Sequence, residues 1–315
     1  MGTVDTLGFL FPGQGSQYVG MGQALSEYPA GRKTLEEADG VLAMPLSRLI
    51  AEGPKEELDQ TANTQPALFT ISVGWYRVLL DKGSSPRAVA GHSLGEYAAA
   101  VAAGALTFAD ALSVVRLRGE LMAAAADGTG MMAAILGLTG AEVVEICEEV
   151  GNREAVAANF NAPGQVVVSG LTPAVTRVCE AAKERGARRV VPLAVSGPFH
   201  SPFMEPVADR LRQRFATIDV QDPQIPMIAN YVGKPVQTAE ELVEALVAGV
   251  SSPVLWEQTM SYLLQSGIKG FVEVGPGRVL TGLARKIDRK AFVVGVDDPQ
   301  GWEKLLAMQK GDVVI

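Results

Sequence analysis

Cysteine and histidine are scarce in this chain of 315 residues, which contains two of each. Cys147 and Cys179 provide neither a disulfide framework nor the spacing of a metal site, which fits a reduced, cytoplasmic setting. The two histidines, His92 and His200, are too few for a histidine-based metal site. We therefore expect no metal, and no G-x-G-x-x-G, GKS or GKT motif of the chain indicates a cofactor, so we expect none.

Long apolar runs and an excess of basic residues are also missing. Although 48% of the residues are hydrophobic, no run approaches the roughly 18 apolar residues that a membrane span needs. The first residues lack a basic region before their apolar stretch, so we do not expect a secretory signal. The net charge of −8 argues against nucleic acid as the main partner. These absences favour a globular protein that acts on neither a membrane nor nucleic acid.

The most informative segment that is present is 87–103, RAVAGHSLGEYAAAVAA. A short apolar run predicts the end of a buried strand, and an Ala-rich run from Leu94 predicts a helix. Between them lies GHSLG, a G-x-S-x-G motif. A strand that turns abruptly into a helix holds the serine in a strained conformation and exposes its oxygen. Ser93 is therefore a candidate nucleophile in a nucleophile elbow, although a plain turn residue remains an alternative.

Strands and helices alternate through most of the chain, which predicts a mostly parallel sheet covered on both faces. After a glycine-rich linker, residues 131–195 instead show the order β-α-β-β-α-β of a ferredoxin-like unit. We predict an α/β fold with two parts. Residues 1–128 and 197–315 form an α/β-hydrolase-like large subdomain, and residues 129–196 form an inserted ferredoxin-like small subdomain.

The amino-terminal third gives three further predictions. An apolar strand over residues 6–11 ends in the loop PGQGSQ, where Gln14 either belongs to a tight turn or enters an active site. Residues 36–59 are predicted to be helical. A second helix over 67–80 is expected to be capped by Thr64 or a nearby polar residue, with Pro66 in its first turn.

Arg118 occupies an unusual place in the helix predicted over residues 111–125. At about 100° per residue, it lies in the middle of an apolar face that includes Ala111, Val115 and Met122. Arg116 lies nearly opposite and is expected to be solvated. A guanidinium in the core is costly unless an anion meets it. Either a buried protein carboxylate or the carboxylate of a ligand could be that anion.

His200 lies in the loop SGPFHSP, whose Pro and Gly residues fix the backbone and display side chains. It is the histidine available to act with Ser93, because the sharp turn should direct the side chain of neighbouring His92 away. A serine with a histidine base is acyl-transfer machinery. No acid stands out to orient the imidazole, so a backbone carbonyl is expected to do so.

Taken together, these motifs resemble malonyl-CoA:acyl carrier protein transacylases. The resemblance covers the chain from Phe9 to about Ala284. The segments that carry it are 12–17 (PGQGSQ), 64–67 (TQPA), 91–97 (GHSLGEY), Arg118, 159–165 (NFNAPGQ), 197–201 (GPFHS) and 273–277 (EVGPG).

The resemblance implies a role for each site residue. Ser93 is the nucleophile, and His200 is the base, oriented by a carbonyl from 249–252. The backbone N–H groups of Gln14 and Leu94 form the oxyanion hole. Arg118 binds the malonyl carboxylate. Supporting contacts to the substrate come from Gln65, Asn161 and Phe199.

The implied reaction is a ping-pong transfer of malonyl from malonyl-CoA to the phosphopantetheine thiol of acyl carrier protein, for fatty acid biosynthesis. Malonyl-CoA and acyl carrier protein are the expected partners, and the protein is expected to be a monomer. Three alternatives remain. A stand-alone acyltransferase would load polyketide carrier domains, and an acyl-carrier thioester hydrolase would not need Arg118. A carrier-binding module without activity would need neither Ser93 nor His200.

An acidic carrier protein would need a basic surface on this acidic chain. Two basic clusters are candidates for that surface, with ordinary solvated charges as the alternative. They are Lys183, Arg185, Arg188 and Arg189 in the predicted small subdomain, and Arg285, Lys286, Arg289 and Lys290 near the carboxyl end.

Overall fold

A computed structural model describes residues 7–126, 128–195 and 197–309 of the chain. Thr6, where the first strand is predicted to begin, residue 196, where the predicted small subdomain ends, and residues 1 and 315 at the ends of the predicted large subdomain lie outside the described residues. The helices are α1 (Gln23–Ser26), α2 (Pro29–Leu42), α3 (Leu46–Glu52), α4 (Lys55–Leu58), α5 (Thr61–Asp81), α6 (Gly95–Ala102), α7 (Phe108–Ala125), α8 (Gly140–Val150), α9 (Thr172–Glu184), α10 (Glu205–Phe215), α11 (Ala239–Ala248), α12 (Trp256–Gln265), α13 (Val279–Ile287) and α14 (Pro299–Gln309). The strands are β1 (Leu7–Phe11), β2 (Ala88–Gly91), β3 (Gly130–Leu136), β4 (Ala155–Ala162), β5 (Gln165–Leu171), β6 (Arg189–Pro192), β7 (Met227–Ala229), β8 (Lys234–Val236), β9 (Gly270–Val274) and β10 (Phe292–Val296).

The larger sheet has the strand order β10-β9-β1-β2-β7-β8. All of its neighbouring strands are parallel except β7 and β8, which form an antiparallel pair. The mostly parallel sheet predicted from the alternating elements is therefore confirmed. In the register of β1 and β2, Phe11 lies opposite Gly91, so the two strands end side by side.

The second sheet is separate and antiparallel, with the order β4-β5-β3-β6. Helices α8 and α9 pack on it, and the shared core includes Ile135, Ile146 and Val178. The two sheets are linked through a segment that belongs to neither. Phe160 N–H donates to the carbonyl of Val254, Val254 N–H donates to the carbonyl of Ala158, and Leu255 N–H donates to the carbonyl of Asn230 at the end of β7. The segment before α12 thus joins the second sheet to the first.

The strands of the larger sheet send alternate side chains to two different cores, as the two-residue period of a strand requires. In β1, Phe9 and Phe11 pack with α5, α6 and α7 on one face. Leu10 points to the other face, where it packs with residues of α12 and α13 such as Trp256 and Leu283. The sheet is covered on both sides, which is why its central strands consist of apolar residues throughout.

The turn from β2 into α6 has the geometry of the predicted elbow. Ser93 has a φ of +51°, in the left-handed region that residues with a side chain seldom adopt. The backbone also approaches itself very closely there, because a Cβ atom added at Gly91 would lie 1.9 Å from the carbonyl carbon of Gly95. A Cβ atom added at Gly95 would lie 2.1 Å from the oxygen of Phe11. Gly91 is therefore required for the elbow to fold closely on itself, and Gly95 is required for it to pack against β1.

The prediction of one helical segment over residues 36–59 is wrong in detail. The segment is divided among α2, α3 and α4. Ala43 turns into the left-handed conformation, with a φ of +50°, and ends α2, while Gly53, with a φ of +75°, ends α3. These breaks lie between short apolar stretches that each pack separately on the core. The pattern of charged residues alone could not show where the helices end.

The predicted start of the next helix is also wrong. Helix α5 begins at Thr61, so Pro66 lies beyond its first turn, and the Thr64 hydroxyl donates to the Leu58 carbonyl instead of capping the helix. Proline has no N–H and leaves the carbonyl four residues earlier without its helical donor. That carbonyl, of Ala62, accepts a hydrogen bond of 3.0 Å from Arg116.

Arg116 is therefore not simply solvated, contrary to the prediction. Its guanidinium also donates to the side chain of Asn63 and pairs with Glu120. These bonds join α7 to the broken turn of α5. Gly119 permits the close approach, since a Cβ atom there would lie 2.9 Å from the Thr61 oxygen.

In the described part of the chain, no helix is both long and apolar enough to cross a membrane.

The close contact of the elbow with β1 predicts that Gly95→Ala destabilises the fold by about 1–3 kcal/mol, since the added methyl group must displace β1 backbone. Gly40→Ala is the matched control, because Gly40 lies exposed in α2 with no atom within 4 Å of an added Cβ. That change should stabilise the helix by roughly 0.5–1 kcal/mol. Urea unfolding of both variants measures the difference, and similar effects of the two changes would contradict the packing argument.

Candidate active site

The candidate site lies at one edge of the larger sheet, where its parallel strands have their carboxyl ends. In an open α/β sheet this edge is where ligands bind. The loop after β1 carries Gln14, the turn after β2 carries Ser93, and the segment after β7 begins with Asn230. The predicted site residues of the large sheet are thus brought together because their strands are parallel neighbours.

Ser93 and His200, which are 107 residues apart in the chain, are in hydrogen-bond contact. The Ser93 Oγ atom lies 2.8 Å from His200 Nε2. His200 Nδ1 lies 2.7 Å from the carbonyl oxygen of Gly249, within the segment expected to orient the imidazole. A carbonyl can only accept, so Nδ1 carries the proton and the unprotonated Nε2 accepts from the serine hydroxyl. This is the tautomer that a general base requires.

The surroundings of His200 keep it neutral. Its side chain is buried, and its backbone, with a φ of +57°, is held by a hydrogen bond from its N–H to the Val250 carbonyl. Burial, followed by the positive charge of Arg118, lowers the pKa of His200 to about 3. A lowered pKa means that the basic, uncharged imidazole is present from acidic pH upward.

Arg118 lies on the buried face of α7, as the helical periodicity predicts, and the residue is 3% exposed. Its guanidinium donates to Gln65 Oε1 at 2.7 Å and to Ser93 Oγ at 3.1 Å, and it faces the ring of Tyr97. In the part of the chain that the structure describes, no carboxylate forms an ion pair with Arg118, and its buried Nε has no hydrogen-bond partner. Of the two anions considered from sequence, the arrangement favours a ligand carboxylate.

The loop that carries Gln14 packs directly on the elbow. A Cβ atom at Gly13 would lie 2.5 Å from the carbonyl oxygen of His92, and the Gln14 side chain donates to the hydroxyl of Thr61 at 3.3 Å. Leu94 stands at the N-cap of α6, where a helix leaves its first N–H groups without internal partners. The main chain at Gln14 and at Leu94 therefore lies on two sides of the serine turn.

The remaining predicted residues, Gln65, Phe199 and Asn161, make different contacts in and around the site. Gln65 lies in the site, where it accepts from Arg118 and its amide nitrogen contacts Met122 Sδ at 3.3 Å. Phe199 is buried directly before His200. Asn161, on β4, lies 2.8 Å from His92 Nε2 and so connects the second sheet to the elbow. As predicted, the side chain of His92 turns away from the serine oxygen.

Two buried polar residues of the site were missed in the sequence. Asn230 hydrogen-bonds to the elbow backbone, and Glu96, in the first turn of α6, accepts from the N–H of Asn230 at 2.8 Å. Burial raises the pKa of the Glu96 carboxyl to about 8. The helical-wheel argument used for Arg118 would have found Glu96, a carboxylate on an otherwise apolar helix. Asn230 has no comparable signal, because only its position after a buried strand distinguishes it.

The arrangement is suited to acyl transfer. A hydroxyl in contact with a neutral imidazole can attack a carbonyl carbon. The main-chain N–H groups at the start of α6 lie nearby and can stabilise the resulting oxyanion. The fixed charge of Arg118 adds a place for a carboxylate beside the attacking oxygen. Among the described residues, no group of three or more His, Cys, Asp or Glu side chains is arranged to hold a metal ion.

The chain is similar to known acyltransferases over nearly its whole length. A protein from Bacillus subtilis (strain 168) described as malonyl CoA-acyl carrier protein transacylase is 44% identical over 311 residues, which cover 97% of each chain. A crystal structure of an acyl-carrier-protein S-malonyltransferase from Burkholderia pseudomallei 1710b superposes with a TM-score of 0.93 at 42% identity, covering 95% of this chain and 99% of that one. A malonyl-transacylase solved with its type II PKS acyl-carrier protein gives a TM-score of 0.93 at 41% identity, covering 97% and 99%.

The family described as acyl transferase domain matches residues 8–296. This match spans both sheets and every residue of the site, from the Gln14 loop to the strands that follow His200. Sequence family, fold and serine–histidine geometry agree, and the chain belongs to the acyl transferase domain family.

Proposed function

We propose that this protein transfers the malonyl group from malonyl-CoA to the phosphopantetheine thiol of acyl carrier protein, by a ping-pong mechanism, for fatty acid biosynthesis. The observation that carries the proposal is the contact of buried Arg118 with Ser93 Oγ at 3.1 Å. An acyl group attached to this serine would place a carboxylate two carbons away within reach of the guanidinium.

In the first half of the reaction, His200 Nε2 takes the proton of Ser93 as Oγ attacks the thioester carbonyl. The N–H groups of Gln14 and Leu94 receive the oxyanion. When the tetrahedral intermediate collapses, the bond to sulfur breaks, and the CoA thiolate takes the proton from His200. Malonyl remains on Ser93 as an ester, with its carboxylate on Arg118 and the supporting amide of Gln65.

In the second half, His200 accepts the proton of the phosphopantetheine thiol, whose sulfur attacks the ester carbonyl. The Ser93 oxygen leaves and regains its proton from His200. A thiolate is a good leaving group, and a serine–histidine pair oriented by the Gly249 carbonyl is sufficient without a third, acidic member. In this proposal the side chains and main-chain groups of the protein carry every step, and malonyl-CoA is a substrate rather than a cofactor.

The polyketide alternative has one specific observation in its favour. A relative with a TM-score of 0.93 is described as bound to a type II PKS acyl-carrier protein. The two candidate functions share the chemistry at Ser93 and differ in the carrier protein that accepts malonyl.

We also propose a subdomain assignment for the two sheets. Residues 1–128 and 197–315 would form an α/β-hydrolase-like large subdomain, which the elbow at the end of β2 supports. Residues 129–196 would form an inserted ferredoxin-like subdomain. The element order β-α-β-β-α-β and the antiparallel sheet order β4-β5-β3-β6 support that part.

For the carrier, we propose a docking surface that combines parts of both basic clusters. A hollow of 260 Å³ between the second sheet and α13 is lined by four exposed basic residues and defines what we name the cationic hollow. These residues are Arg188, Arg285, Lys286 and Arg289. Arg185 is not available in the same way, because it pairs with Glu145 and Glu149.

The first expected outcome concerns the nucleophile. Incubation with malonyl-CoA and no acceptor should add one malonyl group to Ser93, since the ester forms in the first half-reaction. Intact-protein mass spectrometry and peptide mapping measure it, and Ser93→Ala should take up none. An adduct on another residue, or no adduct on the wild-type protein, would reject the acyl-enzyme.

The second expected outcome separates the roles of two arginines on one helix. Arg118→Gln should weaken malonyl transfer by about 2–5 kcal/mol, because it removes a buried charge-assisted contact to the carboxylate. Acetyl-CoA lacks that carboxylate and should lose little. Acylation rates with both thioesters provide the ratio.

Arg116→Gln is the matched control for this experiment. It removes the contacts to Ala62 and Asn63, so it should lower the melting temperature while leaving the ratio of malonyl to acetyl rates unchanged. If Arg118→Gln also reduced both rates equally and lowered the melting temperature, Arg118 would be a structural residue.

The third expected outcome tests the cationic hollow. Arg188→Glu combined with Arg289→Glu should raise the KM for acyl carrier protein several-fold, through lost charge complementarity, and leave acylation by malonyl-CoA intact. Arg210→Glu combined with Lys269→Glu changes the net charge equally at exposed positions elsewhere and should leave that KM unchanged. Equal effects of the two double variants would show that overall charge, not this surface, governs transfer.

A further inference from the structure

Asn230 occupies a position in which each of its polar groups is used. It follows β7, the strand parallel to β2, and is 1% exposed. Its side-chain oxygen accepts from the N–H of Ser93 at 2.6 Å, and its side-chain nitrogen donates to the carbonyl of Gly91 at 2.7 Å. These two hydrogen bonds, which we name the Asn230 bridge, hold the main chain on both sides of His92.

The backbone of Asn230 is fixed as firmly as its side chain. Its N–H donates to Glu96 Oε1 at 2.8 Å, and its carbonyl accepts from the N–H of Leu255 at 3.0 Å. Glu96 is 3% exposed and lies one turn beyond Ser93 on the same continuous stretch of chain. The bridge is therefore anchored to α6 as well as to the sheet.

Glu96 also lies against the segment that orients His200. A Cβ atom added at Gly249 would lie 3.5 Å from Glu96 Oε2, and the Gly249 carbonyl accepts from His200 Nδ1. One carboxyl oxygen of Glu96 thus supports the residue that holds the nucleophile, while the other faces the residue that holds the base.

We propose that Asn230, held in place by Glu96, is a positioning residue that fixes the strained turn at Ser93 and so sets the direction of its Oγ toward His200. This inference deepens the proposed acylation of Ser93 and rests on it. A left-handed conformation at a residue with a side chain persists only where the surroundings impose it. The bridge does so by fixing the peptide groups before and after His92, which leaves the serine little freedom to relax.

The bridge also determines which N–H groups face a substrate. Because Asn230 Oδ1 occupies the N–H of Ser93, that donor is withdrawn from the oxyanion. The N–H of Leu94, the next in the chain, remains to act with that of Gln14. A change at Asn230 should therefore reduce the rate of acylation and leave the binding of the thioester to Arg118 unaltered.

Asn230→Ala tests this directly in single-turnover acylation by malonyl-CoA. The maximal rate constant should fall roughly 10- to 100-fold, the range expected for a misplaced reacting atom, while half-saturation stays near the wild-type value. Malonyl-CoA and acetyl-CoA should be affected equally, in contrast to Arg118→Gln. A wild-type rate constant, or a loss that appears only in half-saturation, would overturn the proposal.

Asn63→Ala is the matched control, since Asn63 is another buried asparagine whose side chain donates to a main-chain carbonyl, that of Glu57, and whose hydrogen bonds run to Glu57 and Arg116 rather than to Ser93 or His200. It should lower the melting temperature without changing the acylation rate constant. If both variants slowed acylation in proportion to their loss of stability, Asn230 would be only a structural residue.

Glu96 provides a second pair of variants that keeps the proposal testable if Asn230→Ala does not fold. Glu96→Gln retains an oxygen that can accept from Asn230 N–H and should recover most of the rate that Glu96→Ala loses. Equal losses in the two variants would overturn the positioning role, because they would show that the carboxyl group itself is needed.

Phenylmethanesulfonyl fluoride separates this proposal from the proposed function. Its sulfur forms a bond to Ser93 Oγ as the S–F bond breaks, fluoride leaves and the serine proton passes through His200, with no thioester involved. Asn230→Ala should slow this inactivation as it slows acylation. If the wild-type protein reacts with the sulfonyl fluoride but takes up no malonyl group, the proposed function is rejected, and the role of Asn230 is still tested by the inactivation rates. If the wild-type protein and Asn230→Ala are inactivated at equal rates, the role of Asn230 is rejected.

Discussion

The left-handed turn at Ser93 is the constraint on which the site depends, because it must be both strained and tightly packed. A residue with a side chain adopts this conformation at a cost of the order of 1–3 kcal/mol, so the turn needs support from every side. Gly91 and Gly95 let the chain cross itself and touch the end of β1. The parallel register of β1, β2 and β7 then brings Gln14 and Asn230 to the same edge as the serine.

The charge states of Arg118 and His200, two residues in contact with Ser93 Oγ, are a second constraint on the site. Arg118 is buried beside Ser93 without an ion-pair partner in the described chain, and a second positive charge close by would be costly. Burial and the charge of Arg118 both lower the pKa of His200, so the imidazole stays neutral and its Nε2 is free to accept a proton. The residue that suits a substrate carboxylate thereby also keeps the general base in its reactive form. The two roles are coupled through one guanidinium.

The second sheet also contacts the site. Asn161 on β4 contacts His92 in the elbow, and the backbone of Val254 bonds to residues of β4 on the way into α12. His200 lies in the segment that follows β6, the last strand of the second sheet along the chain. The serine and its base are therefore held by different parts of the chain, the serine by Asn230 after β7 and the histidine by Gly249 and Val250 after α11.

The sequence by itself determined much of this protein. Alternating strands and helices gave the mostly parallel sheet, the GHSLG turn gave the elbow, and the wheel of α7 placed Arg118 in the core. Those features are local, since they follow from periodicity and from the conformations that glycine and serine allow. Sequence failed where local preference was overridden, as at Pro66, which lies beyond the first turn of α5 because Arg116 satisfies the carbonyl that proline leaves unpaired. The distance between Ser93 and His200, the choice of the Gly249 carbonyl within the expected segment 249–252 and the bridge made by Asn230 were decided only by tertiary structure. They join residues far apart in the chain, and such contacts arise only from the way the strands are ordered and packed.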